Sequence, residues 1–161
     1  MVQKVLVFEP EKCVGCRLCE EWCAVHHFGV VNPAKSCIKI TRHHETQVDY
    51  GIICHQCVDA PCIAACKFDA LSRDPLTDAI IVDKVKCIGC RACIRKCPYA
   101  APSMYPGEKY VIICDLCGGD PQCVSHCPEQ AVQYIRRDLA DRVYRSVVVN
   151  KSAKQQQKEA K

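Results

Sequence analysis

With 161 residues, the chain has room for one domain or two very small ones. Aromatic residues make up only 6% of it, with one Trp and three Phe, which excludes a core of large side chains, while 17 cysteines point to a fold held by disulfides or metals. The formal charge of +4 does not mark a nucleic-acid binder, because the segment Lys151–Lys161, with four Lys and one Glu, supplies +3 of it.

In chain order, the first element is a short apolar run, Val5–Phe8, which reads as a strand. Four apolar residues cannot form the core of a secretory signal, and no later stretch approaches the roughly 18 apolar residues of a membrane span. These features predict a soluble, cytoplasmic protein. Cytosolic thiols stay reduced, so dense cysteines read there as metal ligands and not as a disulfide scaffold.

The cysteines then fall into a fourfold repeat. Quartet one is Cys13-x2-Cys16-x2-Cys19-x3-Cys23, and a strand is expected after it over Cys37–Thr41. Quartet two is Cys54-x2-Cys57-x4-Cys62-x3-Cys66. Phe68–Ser72, the turn residues Asp74–Asp78 and Ala79–Val82 then read as strand, turn, strand. Quartet three is Cys87-x2-Cys90-x2-Cys93-x3-Cys97, and quartet four is Cys114-x2-Cys117-x5-Cys123-x3-Cys127, each followed by proline. A further strand, Ala131–Ile135, leads into a helix over Arg136–Val149 with Leu139, Val143 and Val147 on one face. The polar segment 151–161 reads as disordered.

Three thiols in a C-x2-C-x2-C loop can grip three corners of one iron–sulfur cubane. The fourth cysteine is expected to start a helix and to point away to a second cluster, as in bacterial two-cluster ferredoxins. Gly15 and Gly89 should let backbone N–H groups approach cluster sulfurs. Zinc sites favour two separated Cys pairs around one metal, so a zinc-held structural or nucleic-acid-binding module is the weaker alternative. Crossed ligation yields four sets: Cys13, Cys16, Cys19 with Cys127; Cys114, Cys117, Cys123 with Cys23; Cys54, Cys57, Cys62 with Cys97; and Cys87, Cys90, Cys93 with Cys66. Iron would be held by these sixteen cysteines as four [4Fe–4S] clusters, in a row that forms a wire. Each oxidised cluster with its thiolates adds about −2, which brings the loaded chain to roughly −4.

The continuous stretch from quartet two through the strand pair to quartet three makes an inner unit, residues 54–98. The strands flanking quartets one and four should pair, closing a split outer unit, residues 1–53 and 99–135. The expected fold is therefore α+β, two fused ferredoxin-like units with the inner inserted into the outer, followed by a C-terminal extension over 136–150.

On its four quartets, the sequence from residue 2 to about 135 resembles the four-cluster ferredoxin subunits of molybdenum and tungsten oxidoreductases, hydrogenases and carbon monoxide dehydrogenase systems. The segment Asn32–Ser36 with Ile38–Ile40 is similar to the short cytosolic members accompanying tungsten aldehyde oxidoreductases and benzoyl-CoA reductases. The resemblance implies the same pairing of quartets, first with fourth and second with third. It also implies an electron-transfer subunit with no catalytic site of its own. Such a subunit relays electrons between a catalytic subunit, by preference of tungsten- or molybdenum-pterin aldehyde oxidoreductase type, and a flavin subunit or soluble ferredoxin. A connector of a benzoyl-CoA reductase, hydrogenase, formate or carbon monoxide dehydrogenase complex, or a free-standing ferredoxin, are the alternatives. The residues themselves show no phosphate loop, dinucleotide fingerprint or catalytic constellation.

Several residues stand outside the quartets. Cys37 reads as a small buried or half-buried thiol outside the wire. His26, His27, His43 and His44 read as surface or loop residues, whereas His55 and His126 sit beside ligands and read as solvated residues, with tuning of a cluster as the alternative. Lys84, Lys86, Arg91, Arg95 and Lys96 form a solvated face, or else a docking patch for an acidic partner or a local compensation of cluster charge. The C-terminal helix either packs on its own core or docks a partner or second copy.

Overall fold

The computed structural model describes residues 3–105 and 107–145. Strand β1 (Lys4–Phe8) pairs antiparallel with β6 (Val132–Arg136), so Val5 lies opposite Ile135 and Phe8 opposite Val132. This is the pairing expected of the strands that flank quartets one and four. Strands β4 (Leu71–Arg73) and β5 (Ile80–Val82) pair antiparallel across the expected turn, where Asp74 Oδ1 accepts the N–H groups of Leu76 and Thr77. A third ribbon joins β2 (Lys39–His43) to β3 (Val48–Ile52).

Two strands start two or more residues later than expected, each for a local reason. Asp69 has φ of 48°, in the left-handed region that a strand cannot pass through, so β4 begins at Leu71. Cys37 gives its N–H to the Cys23 sulfur and not to a neighbouring strand, so β2 begins at Lys39.

The helices are short except for the first: α1 (Leu18–Phe28), α2 (Pro61–Ala64), α3 (Ala92–Lys96) and α4 (Gln122–Ser125). The expectation that the fourth cysteine of each quartet starts a helix is corrected. Cys23 lies inside α1, and Cys66, Cys97 and Cys127 follow α2, α3 and α4. Each helix carries the third cysteine, and the fourth comes one turn later. Pro98 and Pro128 then bar helix continuation at quartets three and four.

The quartets share a backbone code. The residue before the second cysteine is left-handed in all four: Gly15 at 71°, Gln56 at 49°, Gly89 at 68° and Leu116 at 59°. Three residues after the last cysteine, Asp69, Ala100 and Gln130 are left-handed again, whereas α1 runs on past Cys23. Glycine suits the first of these positions for a second reason. A Cβ on Gly15 would stand 2.5 Å from Asp49 Oδ2, and one on Gly89 would stand 2.9 Å from the Lys109 carbonyl.

The cores are built largely around cysteine. One gathers Leu6, Phe8, Ile38, Ile40, Leu116 and Val132 with Cys19, Cys23, Cys37 and Cys123. The other gathers Leu71, Ile80, Val111 and Ile113 with Cys54, Cys62 and Cys93. Buried Gln56 ties the quartets together, since its side chain donates to Cys114 O at 2.7 Å and accepts from Ile80 N at 2.8 Å. Buried Glu20 likewise fastens α1 to β2, accepting the Ile40 N–H at 3.0 Å.

A fifth helix, α5, occupies 137–145. It packs on the protein's own core, with Ala140, Val143 and Tyr144 against Val5 and Val7, and Tyr144 Oη donates to Leu6 O at 3.0 Å. The expected stripe of Leu139 with Val143 is corrected, because Leu139 is 41% exposed and Ala140 is 1% exposed. The bonds from Arg137 to Gln56 O and from Tyr144 to Leu6 O turn the helix to this phase. Val147 and the segment 151–161 lie outside the described residues.

Candidate metal centres

The sixteen quartet cysteines lie in four groups, each drawn from two quartets. One pocket is lined by Cys13, Cys16, Cys19 and Cys127. A second is lined by Cys66, Cys87, Cys90 and Cys93. Their matching four-sulfur linings show the repeat in three dimensions. Cys54, Cys57, Cys62 and Cys97 form a third group, in which each thiol that ionises hinders its neighbours. Cys114, Cys117, Cys123 and Cys23 form the fourth in the same way.

The groups also adjoin in series. Across the boundaries, Cys123 feels the charge of Cys19, Cys114 that of Cys54, and Cys93 that of Cys62. The order is therefore the Cys13 group, the Cys114 group, the Cys54 group and the Cys87 group. Of all seventeen cysteines only Cys16 and Cys90 are exposed, one in each terminal group.

These sites fit iron–sulfur clusters by their chemistry. No cysteine is in a disulfide, and each group is made of four thiols, the donor set of a cubane. Burial opposes ionisation of the bare thiols, pushing Cys19 and Cys54 up to about 12 and Cys93 up to about 11. A cationic metal core reverses that balance, because a coordinating thiol is deprotonated outright. Backbone donors already point at sulfur: Gly15 N–H at Cys13 Sγ, 3.4 Å, and Cys37 N–H at Cys23 Sγ, 3.3 Å.

The Cys114 group has neighbours that the sequence reading missed. Cys37 is buried, as expected of a small thiol, but it abuts Cys23 and does not stand apart from the groups. A hydrogen bond from Cys37, aided by one from His27, holds the Cys23 thiol far below its ordinary value, against burial. His27 Nε2 lies 3.7 Å from Cys117 Sγ and 3.4 Å from Asp115 Oδ1, so the expected surface histidine is half-buried against sulfur. The signal was the spacing, since His27 is one helical turn after Cys23 on α1. His55 and His126, read as solvated residues with cluster tuning as the alternative, make ring contacts. His55 stacks on Tyr99 with centroids 3.9 Å apart, and His126 stacks on Trp22 at 3.6 Å.

The family model for the 4Fe-4S dicluster domain matches residues 50–137, which hold quartets two, three and four. The chain belongs to this 4Fe-4S dicluster family. It is 43% identical over 124 residues to the polyferredoxin-like subunit of the aliphatic sulfonate oxidoreductase of Pyrococcus furiosus, covering 77% of this chain and 71% of that one. It is 35% identical over 144 residues to YsaA of Escherichia coli, a candidate electron transport protein, covering 82% of this chain and 89% of that one. The fold is similar to a chain of the benzoyl-coenzyme A reductase complex BamBC, with a TM-score of 0.51 at 20% identity over 85% of this chain and 79% of that chain. This dicluster-family chain is thus a small α+β iron–sulfur protein of the electron-transfer kind. Among its described residues no helix is long and apolar enough to cross a membrane.

Proposed function

We propose that the chain holds four [4Fe–4S] clusters in a row and relays single electrons along them as a subunit of an oxidoreductase complex. The observation that carries this reading is the serial adjacency of the four thiol groups, with one exposed cysteine in each terminal group. The ligand sets are Cys13, Cys16, Cys19, Cys127; Cys114, Cys117, Cys123, Cys23; Cys54, Cys57, Cys62, Cys97; and Cys87, Cys90, Cys93, Cys66. The first two sets belong to a split outer unit and the last two to an inner unit, residues 54–98.

When bound, such clusters each supply a one-electron couple. The protein's part is to hold the thiolates, exclude water and aim N–H groups at sulfur. Buried Leu6, Leu116, Ile80 and Val111 keep the interior dry between the ends. Cys16 and Cys90 bring the two terminal sites to the surface, where a partner can approach.

The complex we favour pairs this chain with a tungsten- or molybdenum-pterin catalytic subunit of aldehyde oxidoreductase type and with a flavin subunit or soluble ferredoxin. The likeness to a subunit of an oxidoreductase supports a catalytic partner. Anaerobically purified protein should be brown, carry about sixteen irons per chain for four cubanes and bleach with dithionite. A colourless chain holding zinc would refute the proposal. Purification from the native host with mass spectrometry of the attached subunits identifies the catalytic partner.

A further inference from the structure

The two ends of the row differ in a way that four equivalent sites do not require. At the Cys87 end, the cavity mouth is framed by Phe68, Ile88 and Arg91, with Phe68 43% and Ile88 61% exposed. Arg91 lines that mouth, the exposed bases Lys67 and Lys86 adjoin Cys66 and Cys87 along the chain, and exposed Arg95 and Lys96 lie on the helix that carries Cys93. Arg95 Nη1 lies 3.3 Å from the carbonyl of exposed Cys90, which puts its charge on the rim. Lys86 reaches Asp83 at 3.7 Å, but among the described residues Lys67, Arg91, Arg95 and Lys96 form no ion pair.

The Cys13 end holds the same number of thiols but a balanced surface. Lys12 pairs with Glu9 at 2.8 Å, Arg42 with Asp49 at 2.8 Å, and Arg17 lies 3.8 Å from Glu20. Glu129 lines that cavity as well. If the bases of the Cys87 end served only to offset cluster charge, the Cys13 end would need as many, since each loaded site carries the same charge. A second copy of the chain is a poor occupant, because Glu9 and Asp49 at the Cys13 end are already paired with bases.

We propose that the face around Cys90, with Phe68 and Ile88 at its centre and Lys67, Arg91, Arg95 and Lys96 around them, docks a small acidic one-electron carrier protein. The proposal rests on the electron-carrier reading above and gives that carrier an orientation. An acidic partner is steered by unpaired bases at long range, and the dehydrated apolar centre brings it close to the exposed terminal site. The Cys13 end is left for the permanent partner.

The test is stopped-flow reduction of the fully loaded chain by a reduced acidic two-cluster ferredoxin freed of dithionite. It compares the wild type, the triple variant Lys67→Glu/Arg95→Glu/Lys96→Glu, and Lys12→Glu at the other end. Iron content and the dithionite-bleached absorption are checked first for each protein. The expected result at low salt is a second-order rate at least tenfold lower for the triple variant, a near-wild-type rate for Lys12→Glu, and convergence of all three at high salt. Equal rates for the wild type and the triple variant, or an equal loss in Lys12→Glu, would overturn the docking surface. So would a wild type that dithionite bleaches but the ferredoxin does not reduce at any salt concentration. A wild type with no bleachable absorption would instead overturn the electron-carrier reading on which this rests.

Discussion

The backbone N–H of Cys37 donates to Cys23 Sγ at 3.3 Å, and the Cys37 thiol lies within 4.8 Å of the same sulfur. Donors to a ligand sulfur favour the more negative, reduced state and so raise a cluster's potential. Cys37→Ala keeps the N–H but removes the thiol. The expected outcome is unchanged iron content and one of four couples shifted downward by roughly 40 mV, the equivalent of about 1 kcal/mol for one hydrogen bond. Potentiometric titration followed by EPR reads this directly, and four unmoved couples would disconnect Cys37 from the site.

Gln56 stands at a left-handed position, φ 49°, where quartets one and three have glycine. Its buried side chain offsets the strain by satisfying Cys114 O and Ile80 N. Gln56→Ala keeps the strain and loses both bonds, so the loaded protein should lose about 2–4 kcal/mol. Gln56→Gly loses the bonds but relieves the strain, and should recover about 1 kcal/mol relative to alanine. Anaerobic urea unfolding at equal iron content ranks the three proteins, and an alanine variant as stable as the glycine one would remove the strain argument.

The same position shows what the sequence could and could not tell. Gly15 and Gly89 announced a left-handed turn because glycine alone adopts it without cost. Gln56 and Leu116 adopt it through burial, which leaves no mark in local composition. The pairing of β1 with β6 was legible because both strands flank quartets that share thiol groups. The β2–β3 ribbon was not, since it is short and polar and carries Gly51, whose lack of a Cβ admits the Phe8 ring 2.5 Å from where that atom would stand. The grouping of thiols was expected from the quartets and their strands, and His27 had the one-turn spacing from Cys23, whereas Cys37 reaches sulfur only through the packing of α1 against the approach to β2.

Gly89→Ala puts a methyl 2.9 Å from the Lys109 carbonyl, a backbone atom that cannot swing away. Gly15→Ala meets the Asp49 carboxylate at 2.5 Å, the end of a side chain held by Arg42. Both substitutions carry the left-handed strain, about 1–2 kcal/mol. Gly89→Ala should therefore lose its nearest cluster, about four irons per chain for one cubane. Gly15→Ala should retain more iron, because Asp49 can shift. Iron and sulfide analysis decides, and iron retention by Gly89→Ala equal to wild type would count against the tight loop.

Removing iron should uncover the thiols' own pH dependence. Burial lifts Cys19 and Cys54 to about 12 and Cys93 to about 11, above the ordinary 9.0. These three thiols therefore favour whatever structure the stripped chain keeps below about pH 9 and withdraw that support as pH rises above it, since the unfolded thiols ionise first, whereas Cys23, held low, has its full effect by the same pH and cannot offset the loss beyond it. Chelation under reducing conditions should abolish most of the cooperative unfolding seen in the loaded protein. Circular dichroism of the stripped chain between pH 7 and pH 10, intervals chosen around the ordinary thiol range, should show a further decline. An increase in structure with pH would contradict the burial argument.

Ala140 and Leu139 are neighbours on α5 with opposite surroundings, 1% and 41% exposed. Ala140 lies against Val5 and Val7 of β1, so Ala140→Glu would bury a carboxylate with no partner beneath the β1–β6 pair. The expected cost is about 3 kcal/mol, seen as a lower thermal midpoint and faster proteolysis of the loaded protein. Leu139→Glu should change neither by more than about 0.5 kcal/mol, the range of ordinary surface substitutions. The reverse ranking would restore a helix phased on Leu139 and Val143. Because α5 covers Val5 and Val7 within the same chain, Ala140→Glu should also leave the mass on gel filtration unchanged, whereas a helix that joined two copies would release a smaller species.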